Sequence, residues 1–231
     1  KLTDQYTILQ TDISSAFCQI AEAVAPASFS PAEMLPVEAA QYDAVVSALF
    51  LHWVNDLPGL LTQMRLALRP DGLLLVCLFG GRTLHELRSC LAEAETELKG
   101  GMSARCAPMA DIRDIGGLLQ RAGLALPVAD ADLLTVTYPN MFRLMADLKG
   151  MGEQNALHGC ASHIARRDVF FRAAEIYKER FSTSDGQIRA SFEFITLTGW
   201  APHPSQQKPL ARGSATHSLL DAFEGDKTIP R

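Results

Sequence analysis

Two apolar runs, "YDAVVSALF" over residues 42–50 and "GLLLVCLF" over 72–79, pass without the polar alternation of a half-exposed strand. Continuous runs of this kind suit parallel strands covered on both faces. Between them Asp56 is placed to cap a helix with Pro58 in its first turn, and Leu57, Leu60, Leu61, Met64 and Leu68 recur on one helical face. "RPDG" at 69–72 then predicts a turn into the second strand. The segment reads as one β-α-β unit with a right-handed crossover.

Upstream, "QYTILQTD" predicts a strand ending at Asp12, followed by a helix from Ser14 or Ser15 through Val24. Downstream the period changes. Leu84, Leu87, Leu91, Ala94 and Leu98 mark a long amphipathic helix stopped by Gly100 and Gly101, and Asp111 opens a second that stops at Gly123. "DLLTVTYP" reads as a strand, Asn140 caps a helix to Lys149, "RDVFFRAAEIYKERF" is helical, and "SDGQIRASFEFITLTGW" is a turn followed by a strand. This order predicts an α/β fold: a mostly parallel sheet with helices on both faces, with two late strands forming a hairpin at one edge. Residues 1–200 form that domain, with a helical insertion at about 138–182, and residues 201–231 are an extended tail rich in Pro, Ser, Gln and Gly. In such sheets ligands lie beyond the carboxyl ends of the strands, which nominates residues 12, 49–53 and 79–82.

Composition narrows the choice of partner. At 231 residues and 48% hydrophobic, the chain can bury a sizeable core, and 26 acidic against 21 basic residues, without a Lys/Arg block, argue against nucleic acid or an anionic lipid surface. Five cysteines at 18, 77, 90, 106 and 160 include no closely spaced pair, so a reducing compartment is expected, with Cys77 as core filler. No apolar run reaches the roughly 18 residues of a spanning helix. The chain opens on Lys1 rather than Met, so the lack of a cationic signal sequence says nothing against targeting.

Few side chains carry candidate chemistry. Asp12, at a strand end, is able to accept both hydroxyls of a ribose, or to serve as a loop or capping aspartate. The first apolar run ends on His52 and Trp53, which form either a pocket wall, the indole offering a face to a cation, or ordinary strand-end packing. No catalytic group is assigned. His52 is the candidate, since an imidazole suits proton transfer near neutrality, but no carboxylate partner is placed by spacing. Arg82 and Arg88 follow "FGG", where they hold a carboxylate or a protein partner, or simply solvate a helix. His85, His158, His163 and His203 lack metal-ligand spacing, and no metal site is expected.

The motif order resembles the class I S-adenosylmethionine-dependent methyltransferases. More narrowly, "LHWVNDLPGLL", "LRPDGLLLVCLFGGRTLHELR", "DLKGMGE" and "ARGSATHSL" resemble the mitochondrial complex I assembly factor 5 family of arginine hydroxylases and its bacterial relatives. "LHWVNDLP" alone is shared with the malonyl-carrier-protein methyltransferases. The resemblance implies a class I methyltransferase fold and S-adenosylmethionine as cofactor. It implies cofactor contacts from Asp12, Ile13, Ala32, Glu33, Leu49, His52 and Trp53, and a substrate-side or partner-side role for Tyr138, Lys149, Glu153 and Arg212. It also implies a protein substrate, an iron–sulfur subunit of complex I, modified by methylation or arginine hydroxylation. The expected location is the matrix side of the inner mitochondrial membrane in a eukaryote and the cytoplasm in a bacterium. The alternatives are a small-molecule or carrier-protein O-methyltransferase and a non-catalytic assembly protein.

Two departures from the family stand out. Its first strand and glycine-rich turn are absent from this chain. That strand is central, between the strand ending at Asp12 and the one ending near Leu49, so a fragment or a repaired sheet is expected, with exposed ladders. Pro31 also stands where relatives carry an adenine-binding Asp; Ala32 backbone or Glu33 then has to substitute, at a cost on the order of 1 kcal/mol per lost bond.

Overall fold

The structure, a computed structural model, describes residues 5–155, 157, 166–208 and 213–214. The elements run β1 (Gln10–Asp12), α1 (Ser15–Ala21), β2 (Ala27–Phe29), β3 (Tyr42–Ala48), a 3-10 turn (Leu51–Trp53), α2 (Leu57–Ala67), β4 (Leu68–Phe79), α3 (His85–Lys99), α4 (Ile112–Arg121), β5 (Ala125–Tyr138), α5 (Met141–Gly150), α6 (Arg167–Phe181) and β6 (Ile188–Trp200). Helix starts follow local chemistry. Ser14, Asp56, Asp111 and Asn140 each accept a backbone N–H of the first turn through their side chains, capping α1, α2, α4 and α5. Gly100 ends α3 in the left-handed conformation that a side chain would disfavour.

Strands β3 and β4 pair in parallel, β4 and β6 antiparallel, and β6 and β5 antiparallel, giving the order β3-β4-β6-β5. The late hairpin therefore lies at one edge, as expected. Strands β1 and β2 pair in parallel as a separate two-stranded sheet. Among the described residues the sheet is thus broken between the strand ending at Asp12 and the one ending at Ala48, where the resemblance places the missing strand.

The core lies on both faces of the larger sheet. Leu74, Val76 and Leu78 of β4 and Ile195 and Leu197 of β6 alternate toward Leu60, Leu61 and Met64 of α2 and Ile115 and Leu119 of α4. On the other face Phe79, Tyr138, Ile188, Ala190 and Phe192 pack against Leu87, Cys90 and Leu91 of α3, Met141 and Leu144 of α5, and Val169, Ala173, Ile176 and Tyr177 of α6.

Several expectations need correction. The run 42–50 is not buried on both faces: Val46 is 66% exposed, and its neighbour across the ladder, Leu75, is 37% exposed. Val46 lies on β3, the edge strand beside the break, and Leu75 one strand further in, on β4. Cys77, paired with Ala48, is only half-buried. "RPDG" does not separate α2 from the strand but lies within β4, with Asp71 at φ 66° and the β3–β4 register shifted between Tyr42 and Ala44. α1 stops at Ala21 rather than Val24, and the short strand β2 was not anticipated.

Candidate functional site

Asp12 closes β1, and its Oδ1 accepts the Ser14 N–H at 2.7 Å, so one oxygen serves the turn that starts α1. Its other oxygen has no partner among the described residues. The next residue, Ile13, is 42% exposed. From β2 the chain passes through buried Ser30, whose N–H bonds to the Asp12 carbonyl at 3.0 Å, to Pro31, Ala32 and Glu33. Glu33 is already engaged: Oε1 accepts Asn55 Nδ2 at 3.0 Å and Asn55 N–H at 3.3 Å, and its carbonyl accepts Gln63 Nε2 at 2.9 Å. These bonds tie the small sheet to the segment after β3. They also engage one oxygen, Oε1, of the carboxylate expected to replace the adenine acceptor, and Pro31 provides none. Ala32, half-buried, is left with only its backbone to offer.

The carboxyl end of β3 is built on strain. Leu49, at φ 51°, sits in the left-handed region that costs a branched side chain on the order of 1 kcal/mol, while its N–H bonds the Cys77 carbonyl at 2.7 Å. This bend turns the chain into the 3-10 turn that carries His52 and Trp53. The two rings lie 5.6 Å apart, and His52 also meets Phe79, at the end of β4, at 5.1 Å. With Leu51, Pro108, Met109 and Ala110, the imidazole lines a cavity of about 90 Å³.

The carboxylate that spacing did not place next to His52 is Glu153, just past α5. Its oxygens lie 3.2 and 3.4 Å from His52 Nε2, across 101 residues of sequence. Nδ1 is buried and has no partner among the described residues. Only the "DLKGMGE" motif had singled out Glu153, and nothing local linked it to the histidine.

The "FGG" turn is held by β6. Arg82 N–H bonds Glu193 Oε2 at 2.8 Å and Gly80 N–H bonds the Glu193 carbonyl at 2.9 Å. A Cβ on Gly80 would fall 2.4 Å from that carboxylate oxygen and 2.8 Å from Ile195 Cδ1, so a larger residue would have to displace the ends of both side chains. Arg88 donates to the Gly81 carbonyl, a structural use of its charge. Burial raises the Cys106 thiol above its ordinary range, only partly offset by Arg88 and Arg105, which argues against a reactive thiolate. Burial, reinforced by Asp147, likewise raises Tyr138, whose ring packs in the core. Lys149 is exposed in the last turn of α5. Arg212, His158 and His163 lie outside the described residues. No group of three or more potential metal ligands occurs among the described residues, and no helix among them is long and apolar enough to cross a membrane.

Residues 1–76 match the methyltransferase domain family. A Bacillus subtilis protein, YcgJ, superposes with a TM-score of 0.56 at 12% identity, covering 84% of this chain and 82% of its own. A Bacillus halodurans structure described as a methyltransferase gives 0.53 at 14% identity, covering 84% and 83%. The mitochondrial arginine-hydroxylase NDUFAF5 of Rattus norvegicus is 45% identical over 197 residues, 85% of this chain and 57% of that protein. The chain has a fold of the class I methyltransferase type. Similarity to the malonyl-[acyl-carrier protein] O-methyltransferase of Xylella fastidiosa is lower, 36% over 174 residues, covering 75% of the chain and 57% of that enzyme. This methyltransferase-fold chain spans little more than half the length of the curated relatives it matches.

Proposed function

We propose that the protein binds S-adenosylmethionine beyond the carboxyl ends of β1 and β3 and modifies a protein side chain, as a relative of the NDUFAF5 arginine hydroxylases. The observation that carries this reading is the placement of Asp12 on one side of the sheet break and Leu49, His52 and Trp53 on the other. Glu33 and Asn55 hold the two sides together. The unpaired Asp12 oxygen would take the ribose hydroxyls, while Ile13 and Leu49 offer apolar surface to the nucleoside and Trp53 a π face to a cation. Adenine recognition falls to the Ala32 backbone. When bound, the cofactor supplies an electrophilic methyl group on a sulfonium. The chain's task is to position the acceptor and exclude water. The partner proposed is an iron–sulfur subunit of complex I, since the more similar relatives are hydroxylases rather than carrier-protein methyltransferases. Those relatives are named mitochondrial, which supports that organelle for a eukaryotic bearer; a bacterial one would work in the cytoplasm.

Pro31, which offers adenine no side-chain acceptor, favours a second reading, a docking protein that keeps the fold without the cofactor. Calorimetry with S-adenosylmethionine on this chain and on a polypeptide extended at its N-terminus separates the two. Saturable binding in either supports the first reading, and no binding in both leaves the docking role. Mass spectrometry of the partner then distinguishes the gain of a methyl from the gain of an oxygen.

A further inference from the structure

We propose that His52 and Glu153 form a proton-accepting pair, in which Nδ1 of His52 takes a proton from the substrate and Glu153 is the positioning residue that fixes the imidazole tautomer. The His52 side chain is 5% exposed and Glu153 20%, so the pair is largely shielded from water. An ionised carboxylate only accepts hydrogen bonds. Nε2, at 3.2 and 3.4 Å from its two oxygens, must therefore carry the ring proton, which leaves Nδ1 as a lone pair in the neutral ring.

That lone pair is buried without a partner among the described residues. Trp53 and Phe79 lie against the ring, and the rest of the cavity lining named above is apolar. A histidine used only for packing would have its second nitrogen satisfied by protein. Among the described residues no donor meets it, and the imidazole borders a cavity of about 90 Å³, room for a small head group or about three waters. The preferred substrate group is one bearing an N–H or O–H. In the step, the X–H bond breaks, its electron pair stays on X, and the proton forms an N–H bond at Nδ1, giving an imidazolium offset by Glu153. A carboxylate substrate would bring an acceptor against an acceptor beside an existing negative charge.

This rests on the reading that substrate approaches the carboxyl end of β3, but its test needs no cofactor. In the full chain with labelled histidine, nitrogen NMR should find His52 in the Nε2–H tautomer. Glu153→Gln should keep it, because the amide oxygen still accepts, and Glu153→Ala should lose it. Methylguanidinium, as probe, should move the Nδ1 resonance and acetate should not, and Glu153→Ala should weaken the methylguanidinium response at least tenfold. Unchanged circular dichroism shows that the variants remain folded. An Nδ1–H tautomer, a response to acetate alone, or no response to either probe overturns the proposal. Absence of S-adenosylmethionine binding with the tautomer and probe response intact counts against the cofactor reading alone.

Discussion

Ser191 gives Glu86 both its hydroxyl, at 2.6 Å, and its backbone N–H, at 3.2 Å, joining α3 to β6 inside the protein, where both residues are buried. A buried carboxylate is tolerable only while hydrogen-bonded, so the pair fixes where α3 leaves the "FGG" turn. Ser191→Ala removes the shorter bond to a charged acceptor and should cost about 1.5–3 kcal/mol in urea unfolding. Glu86→Gln keeps an acceptor for the N–H and lets the serine hydroxyl reorient, so it should cost about 1 kcal/mol. A larger loss for Glu86→Gln than for Ser191→Ala would show that the negative charge itself is needed.

A second buried carboxylate sets the response to acid. Burial alone would raise Glu95, but Arg105 at 2.5 Å, the Ser103 hydroxyl at 2.6 Å and the Ser103 N–H at 2.8 Å overcome it and hold the group down at about 2. The folded state thus binds this proton less readily than the unfolded chain. The resulting stabilisation is complete above the ordinary carboxylate value and disappears as pH falls from 4.5 toward about 2. Unfolding in urea should show about 2 kcal/mol lost through this group between about pH 6 and about pH 3. Glu95→Gln should be less stable near neutrality and lose correspondingly less on acidification; an equal loss in both proteins would remove Glu95 from the explanation.

Leu49 tests whether the bend before His52 is strained. At φ 51° any side chain is disfavoured relative to glycine, yet Leu49 is only 39% exposed and so also contributes some burial. Alanine gives up the burial without relieving the backbone, whereas glycine gives up slightly more surface and does relieve it. Leu49→Gly should therefore be more stable than Leu49→Ala by about 1 kcal/mol in thermal or urea unfolding. The opposite order would mean that the left-handed conformation is not kept.

How much of this was legible depended on the range of each interaction. Ser14, Asp56, Asp111 and Asn140 could be read as caps because each bonds a backbone N–H only two or three residues ahead. The helix from Arg167 to Phe181 and the edge hairpin followed from periodicity over long segments. Asp12 ends β1 and His52 follows β3, the positions in the chain at which the sequence sets them. Glu153 was not legible as the partner of His52 because 101 residues and a helical excursion separate them. Burial of 42–50 was misread for a related reason: apolar sequence records what a strand is suited to meet, and nothing among the described residues meets Val46. The bond from Asn55 to one oxygen of Glu33 was likewise not legible, because 22 residues separate the two.

Asp12 offers the sharpest test of the cofactor reading, because its two oxygens have different work. Oδ1 holds the Ser14 N–H, and the other oxygen has no partner among the described residues. Asp12→Asn retains one carbonyl oxygen for Ser14, so the turn into α1 and the Ser14 cap should survive, with stability changed by less than about 1 kcal/mol. What it removes is the charged acceptor proposed for the ribose, replaced by an amide that only donates. Hydrogen bonds to charged groups contribute about 1.5–3 kcal/mol, so S-adenosylmethionine affinity should fall roughly 10- to 100-fold by calorimetry. Asp12→Ala should lose affinity to a similar degree and, unlike the asparagine variant, also destabilise α1. Full affinity in Asp12→Asn would reduce Asp12 to a turn residue and move the nucleoside elsewhere on the sheet edge.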